Sequence, residues 1–177
     1  MLNIIVVEDE PLFAVMLKQL IELNPCHVVT AMADDYESAL AAVAQRRPDL
    51  ALVDLQLARG STGFSVAAKL RELGIACLFI SGKVPSFPIP DLALGCLVKP
   101  FRQEDLVEAL KAAEDILRGR QSLRAGRAGH SERLWLYELD QGRAAERHAT
   151  PLPARSDSRR AWRERLGLSV LRRRRAG

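Results

Sequence analysis

The chain has 177 residues, 48% hydrophobic and 5% aromatic, enough for one ordinary domain and an appendage. No apolar run approaches the roughly 18 residues of a membrane span, and the N-terminus lacks the basic, apolar and small-residue sections of a secretory leader, so a cytoplasmic protein is expected. The net charge of +4 hides an asymmetry: through Leu117 ten Lys+Arg face sixteen Asp+Glu, a net of −6, and beyond it sixteen face six, a net of +10.

Three cysteines, Cys26, Cys77 and Cys96, have neither an even count nor metal-ligand spacing. A disulfide framework or a zinc site is therefore not expected, and small buried apolar side chains are.

In chain order, Leu2 to Val7 is an apolar run interrupted only by Asn3, which reads as a buried parallel strand. Pro11 suits the first position of a helix, and Leu12, Val15, Met16, Leu20 and Leu23 recur with helical spacing until Asn24-Pro25. His27 to Met32 is a second strand. Asp34-Asp35 opens a helix with Ala39, Leu40 and Val43 on its apolar face, ending near Arg46-Arg47-Pro48. Leu50 to Asp54 is the third strand, followed by a loop with Gly60 and Gly63 as flexible points and a helix through Val66 and Leu70 to Gly74. Ile75 to Ile80 and Gly95 to Val98 are the fourth and fifth strands. A last helix from Gln103 to Leu117 carries Leu106, Val107, Leu110, Ala113 and Leu117. Strands alternating with helices indicate an α/β domain with a parallel sheet.

Between the fourth and fifth strands lie three prolines, Pro85, Pro88 and Pro90, and no regular helix survives that spacing. An irregular loop is expected, with at most one turn around Pro90 to Leu94.

Ligands of an open parallel sheet bind beyond the carboxyl ends of its strands. The residues there are Glu8-Asp9, Asp54, Ser81 and Lys99. Clustered carboxylates repel by roughly 4 kcal/mol per close pair at an effective dielectric of 20, so they call for a cation. Oxygen ligands with room for water suit magnesium. Such a cation would neutralise an incoming phosphate and leave Asp54 ionised as a nucleophile, with Lys99 and Ser81 holding phosphoryl oxygens.

Val6-Val7-Glu8-Asp9-Glu10, Leu52-Val53-Asp54, Phe79-Ile80-Ser81-Gly82 and Val98-Lys99-Pro100-Phe101 resemble the response-regulator receiver domain of two-component signalling, over about residues 1–117. The resemblance implies a flavodoxin-like, doubly wound, five-stranded parallel sheet of order 2-1-3-4-5. It implies Asp54 as the phosphoacceptor, magnesium held by Asp9, Asp54 and the carbonyl of Gln56 with Glu8 on a metal-bound water, and Ser81 and Lys99 on the phosphoryl group. It also implies a cis Lys99-Pro100 bond and a histidine kinase or histidine phosphotransfer protein as donor. The chain departs from the family at Cys96, where receivers usually carry an aromatic switch residue, and in the short spacing from Ser81 to Lys99. The short spacing, with the prolines, implies a truncated or absent fourth helix, Cys96 has no ring to swing towards Ser81, and the output is expected to pass through the remodelled 82–95 loop.

Residues 118–177 form an extension whose basic residues are all arginine, expected to be weakly ordered or disordered. Leu134 to Leu139 reads as a strand or docking segment, Thr150 to Pro153 as an extended linker, and Trp162, Leu166 and Val170 as a narrow stripe on a basic helix. The leading reading is a non-enzymatic signalling protein that works through protein contacts, its output partner and oligomeric state unspecified. The alternative is a transcriptional regulator binding DNA through the extension, although arginine runs supply phosphate attraction rather than base readout. A phosphohydrolase is disfavoured because Gln56 stands where a general acid would be needed. A metal-free pseudo-receiver is disfavoured because the expected carboxylates are present.

Overall fold

Eleven elements are present among the described residues. The structure, a computed structural model, describes residues 1–57, 60–85, 89–119, 126–127 and 132–137, with 126–127 as backbone alone. In order they are β1 (Leu2–Val7), α1 (Pro11–Glu22), β2 (His27–Ala33), α2 (Tyr36–Gln45), β3 (Leu50–Asp54), α3 (Gly63–Glu72), β4 (Ala76–Ser81), β5 (Gly95–Val98), α4 (Gln103–Leu117), β6 (Gly126–Arg127) and β7 (Leu134–Leu136). Pro11 begins α1 where its missing N–H is no loss. Asp35 with Ser38 caps α2, and Thr62 with Ser65 caps α3, each pair satisfying two otherwise unpaired backbone donors. Gly74, at a φ of 70°, ends α3.

The strands form one sheet of order β2-β1-β3-β4-β5-β7-β6. The five parallel strands have the expected order, and the extension adds two more: β7 runs antiparallel to β5, and β6 antiparallel to β7. Leu134 to Leu136 is thus the strand read from the sequence. The segments read as a linker at Thr150 and a helix through Trp162 lie outside the described residues.

Alternation along the strands divides the core between the two faces. Ile4, Val6, Leu50, Leu52, Leu78, Ile80, Leu97 and Leu134 pack with α1 and α4. Ile5, Val7, Ala51, Val53, Phe79, Cys96 and Tyr137 pack with α2 and α3. The steps from β3 to β4 and from β4 to β5 run in one direction across the sheet, so right-handed crossovers place both connections on the α3 face. No helix occupies the second of them among the described residues. A single turn forms instead, with the N–H groups of Leu92 and Ala93 donating to the Ile89 carbonyl. Ile89, Leu92, Ala93 and Tyr137 belong to the cluster on that face.

One expected face is wrong. Leu12, Val15, Met16 and Leu23 of the α1 region are exposed, and the buried stripe is Ala14, Leu17 and Ile21, with Leu20 and Phe13 half-buried. The helix carries two apolar stripes of equal period, and only packing against the sheet decides between them. In α4, Val107 and Leu117 are likewise exposed, while Leu106, Leu110 and Ala113 are buried.

Candidate functional site

Each polar residue of the site stands where an apolar strand stops. β1 delivers Glu8 and Asp9, β3 ends on Asp54, β4 on Ser81, and β5 runs into Lys99. The strand order reverses at β1 and β3, with β2 laid to one side and β3, β4 and β5 to the other, which opens a crevice at this edge.

Carboxylate oxygens of Glu8, Asp9 and Asp54 all lie within 4.8 Å of one another. Glu8 and Asp54 are buried, and Asp9 is the most accessible of the three. The Lys99 ammonium bridges the two buried members, donating to Asp54 Oδ2 at 2.6 Å and Glu8 Oε2 at 2.9 Å. The other Asp54 oxygen accepts the Gln56 N–H at 2.9 Å. Four charged groups therefore sum to one positive and three negative. At the separations present, each carboxylate pair repels by roughly 3 to 4 kcal/mol at an effective dielectric of 20.

That surplus is felt at Glu8. Burial pushes its carboxyl up to about 6 with Asp54 adding to the rise, while the Lys99 hydrogen bond opposes it. Burial alone would lower Lys99, but its hydrogen bonds to Asp54 and Glu8 outweigh this and hold the ammonium charged above its ordinary value. The donor set, three carboxylates open to solvent through Asp9, fits a hard divalent cation with water completing its shell.

The structure brings Glu8, Asp9, Asp54 and Lys99 together. Gln56 is held beside Asp54 by its N–H, and an isolated bridge to Thr62 fixes its backbone. Ser81 sits buried at the end of β4; its carbonyl accepts the Lys99 N–H at 2.7 Å, and its hydroxyl accepts the Lys83 N–H at 3.3 Å. The Lys99-Pro100 bond is cis, as expected.

Phe13, which no sequence pattern singles out, also joins the site. Its ring lies 4.1 Å from the Lys99 ammonium and is met edge-on by Phe101 at 6.0 Å. The negative face of the ring attracts the cation, so Phe13 helps to steady the Lys99 ammonium. Phe13 falls between the apolar stripes of α1, and 86 positions separate it from Lys99, so spacing gave no signal.

Fold and pocket together define a flavodoxin-like α/β protein with an acidic pocket at its topological switch point. The family described as "Response regulator receiver domain" matches residues 4–111, and the chain belongs to it, placing it among the receivers of two-component systems. Among curated proteins it is similar to the Positive alginate biosynthesis regulatory protein of Pseudomonas aeruginosa, 37% identical over 119 residues that make up 63% of this chain and 47% of that protein. It is also similar to the DNA-binding response regulator MtrA of Mycolicibacterium smegmatis, 35% identical over 118 residues, covering 62% and 49%. The chain spans about half the length of the curated relatives it matches.

Two solved structures extend the likeness. The response regulator PhyR of Brucella abortus is 29% identical, with a TM-score of 0.56 and coverage of 67% of this chain and 49% of that one. A CheY-like receiver domain protein from Methanospirillum hungatei, 23% identical, has a TM-score of 0.60 with coverage of 68% and 99%, and shares the fold. No described helix is long and apolar enough to cross a membrane.

Proposed function

We propose that Asp54 is the phosphoacceptor of a response regulator that takes a phosphoryl group from a histidine kinase or histidine phosphotransfer protein. The observation that carries this reading is the position of Asp54, buried at a strand end with the Lys99 ammonium 2.6 Å away and two further carboxylates beside it.

In the transfer, an Asp54 carboxylate oxygen forms a bond to phosphorus as the bond from phosphorus to the donor imidazole nitrogen breaks. The Gln56 N–H fixes the carboxylate plane for that approach. Lys99, already charged, turns from Asp54 towards the phosphoryl oxygens, and Ser81 offers its hydroxyl from β4. Asp9, Asp54 and the Gln56 carbonyl would hold magnesium, with Glu8 beside it on a bound water. When bound, the ion neutralises phosphoryl charge. Positioning and charge compensation suffice for phosphoryl transfer, and the pocket offers both.

The test is labelling by acetyl phosphate with magnesium, read by intact mass. Wild-type protein should gain one phosphoryl group and Asp54→Asn none; undiminished labelling of that variant refutes the assignment. Lys99→Ala should still fold but label at least tenfold more slowly.

The output is proposed to run through protein contacts. DNA binding by the arginine-rich extension is the second reading, favoured by its net charge of +10 and by the likeness to a DNA-binding response regulator, MtrA. Salt-dependent binding to one specific duplex, lost on deleting residues 118–177, would support it over uniform attraction to any polyanion.

A further inference from the structure

α1 buries one apolar stripe and turns a second one outward. Leu12 is 81% exposed, Val15 44% and Met16 38%, and Leu23 continues the line just past the helix. Positions 12, 15, 16, 19 and 23 fall on one side of a helix, and only Gln19 among them is polar. Met32, 46% exposed, lies on β2, the strand α1 packs against. It pairs with Val6, whose side chain is in the core under α1, so both point to the α1 side of the sheet. A lone exposed apolar residue is ordinary, but a line of them on one face marks a surface that something covers.

The same corner is acidic. Residues 1–35 hold six Asp+Glu against one lysine, a net of −5, and that lysine, Lys18, is held by Glu22. Asp9 and Glu10 directly precede α1, and Asp34 and Asp35 directly follow β2. Val7 pairs with Ala33, so the four carboxylates stand at one edge of the sheet, at the Leu12 end of the stripe. Ser38 donates to Asp34 and Asp35, which orients both and leaves their charge in place.

A segment of opposite character belongs to the same chain. Residues 158–177 hold eight arginines and one glutamate, a net of +7, with Trp162, Leu166 and Val170 four positions apart. Leu12 and Met16 have the same spacing, so two helical stripes of one period can meet. The chain from Tyr137 to Ser158 can span up to roughly 70 Å, several times the radius of a domain of this size, so every face is within reach. On α4 the outward Val107 and Leu117 lie ten positions apart with Lys111 between them, which gives neither a stripe nor an unbroken acidic frame.

We propose that residues 158–175 dock on the outward face of α1 in the same chain. Trp162, Leu166 and Val170 cover Leu12, Val15 and Met16, and the flanking arginines face Glu10, Asp34 and Asp35. Each exposed ion pair contributes little, so the apolar stripe decides where the segment sits. Docking withholds the arginines from outside polyanions, and by linkage the two kinds of binding oppose each other. The proposal stands whether or not Asp54 takes a phosphoryl group.

Energy transfer within the full chain tests this. Cys26, exposed just beyond the stripe, takes an AEDANS acceptor, while Cys77 and Cys96 are buried. Tryptophan is the donor, and subtracting the emission of Trp162→Phe isolates Trp162 from Trp135. At low salt the label should quench the Trp162 share at least twofold, and most of it should return in about 1 M salt, where the Debye length falls to about 3 Å. Leu12→Gln with Met16→Gln changes no charge and alters no buried residue. It should remove most of the quenching and tighten binding to heparin, the probe polyanion, at least threefold. Trp162 emission that the label leaves unquenched, quenching equal in wild type and the double variant, or an unchanged heparin affinity overturns the proposal. Quenching lost on adding an excess of unlabelled chain places the segment on a second copy and overturns it as well.

Discussion

At the scale of single residues, the pocket is built on one lysine held from several sides. Asp54 and Glu8 take the Lys99 ammonium as hydrogen-bond acceptors, and the Phe13 ring takes it as a π-face. A cation–π contact of this kind is worth about 0.5 to 1 kcal/mol at a partly open site, or roughly a two- to fivefold effect on a rate. Phe13→Leu should accordingly slow labelling by acetyl phosphate about threefold while Phe13→Trp stays near wild type, a pair of rates that intact-mass time courses resolve. Equal rates for wild type and the leucine variant would remove Phe13 from the site. The cysteines make a second residue-scale case. Cys77 and Cys96 are buried with thiols pushed up to about 12, and Cys26 is exposed. Iodoacetamide at neutral pH should modify one thiol in the native protein, at Cys26, and all three only after unfolding. The site's four charged residues could be read from the sequence because each interrupts an apolar strand at its end. Phe13 could not, since nothing in a local pattern reports a contact with a residue on a distant strand.

Among elements, the parallel strands and helix ends follow local rules, and the failures come where two local solutions are equivalent. α1 offers two apolar stripes, and burial of Ala14, Leu17 and Ile21 rather than Leu12, Val15 and Met16 is settled by the sheet it meets. Gly63 shows the same lesson. As a loop glycine it reads as a flexible point, yet it begins α3 pressed against β3, and a β-carbon on it would come 2.1 Å from the Asp54 carbonyl oxygen. Small size, not backbone freedom, is what the position demands. Gly63→Ala should therefore cost about 2 to 3 kcal/mol in urea unfolding through overpacking against backbone, and slow labelling at the displaced Asp54 as well. Asp35→Ala, which removes the cap of α2, should cost about 1 kcal/mol and leave labelling unchanged. If the two variants lost stability equally and neither altered labelling, the close packing of α3 on β3 would be of no consequence.

For the whole molecule, the acidic first part and arginine-rich second part suggest two independent polymers, but the sheet joins them. Composition pointed to a boundary near Leu117, whereas β7 pairs with β5 well past it and puts Leu134 and Tyr137 into the two cores. Pairing across a long sequence separation leaves no local trace beyond the short apolar run Leu134 to Tyr137, which is why the strand could be suggested from sequence and its partner could not. Covering β5 also blunts an edge that would otherwise present unpaired backbone groups from Gly95 to Val98. A chain ending at Gly119 retains residues 4–111 of the receiver match but loses this cover. Burial of two large side chains is then forfeited, offset in part by the freedom the strand regains. A net loss of about 1 to 2 kcal/mol is expected, seen as a fall of roughly 4 to 8 °C in Tm. The exposed edge should also promote self-association, measurable by light scattering at rising concentration and absent from the full chain under the same conditions. A truncated chain that matched the full one in both measurements would mean that β5 needs no cover, and the sheet would then end where the composition changes.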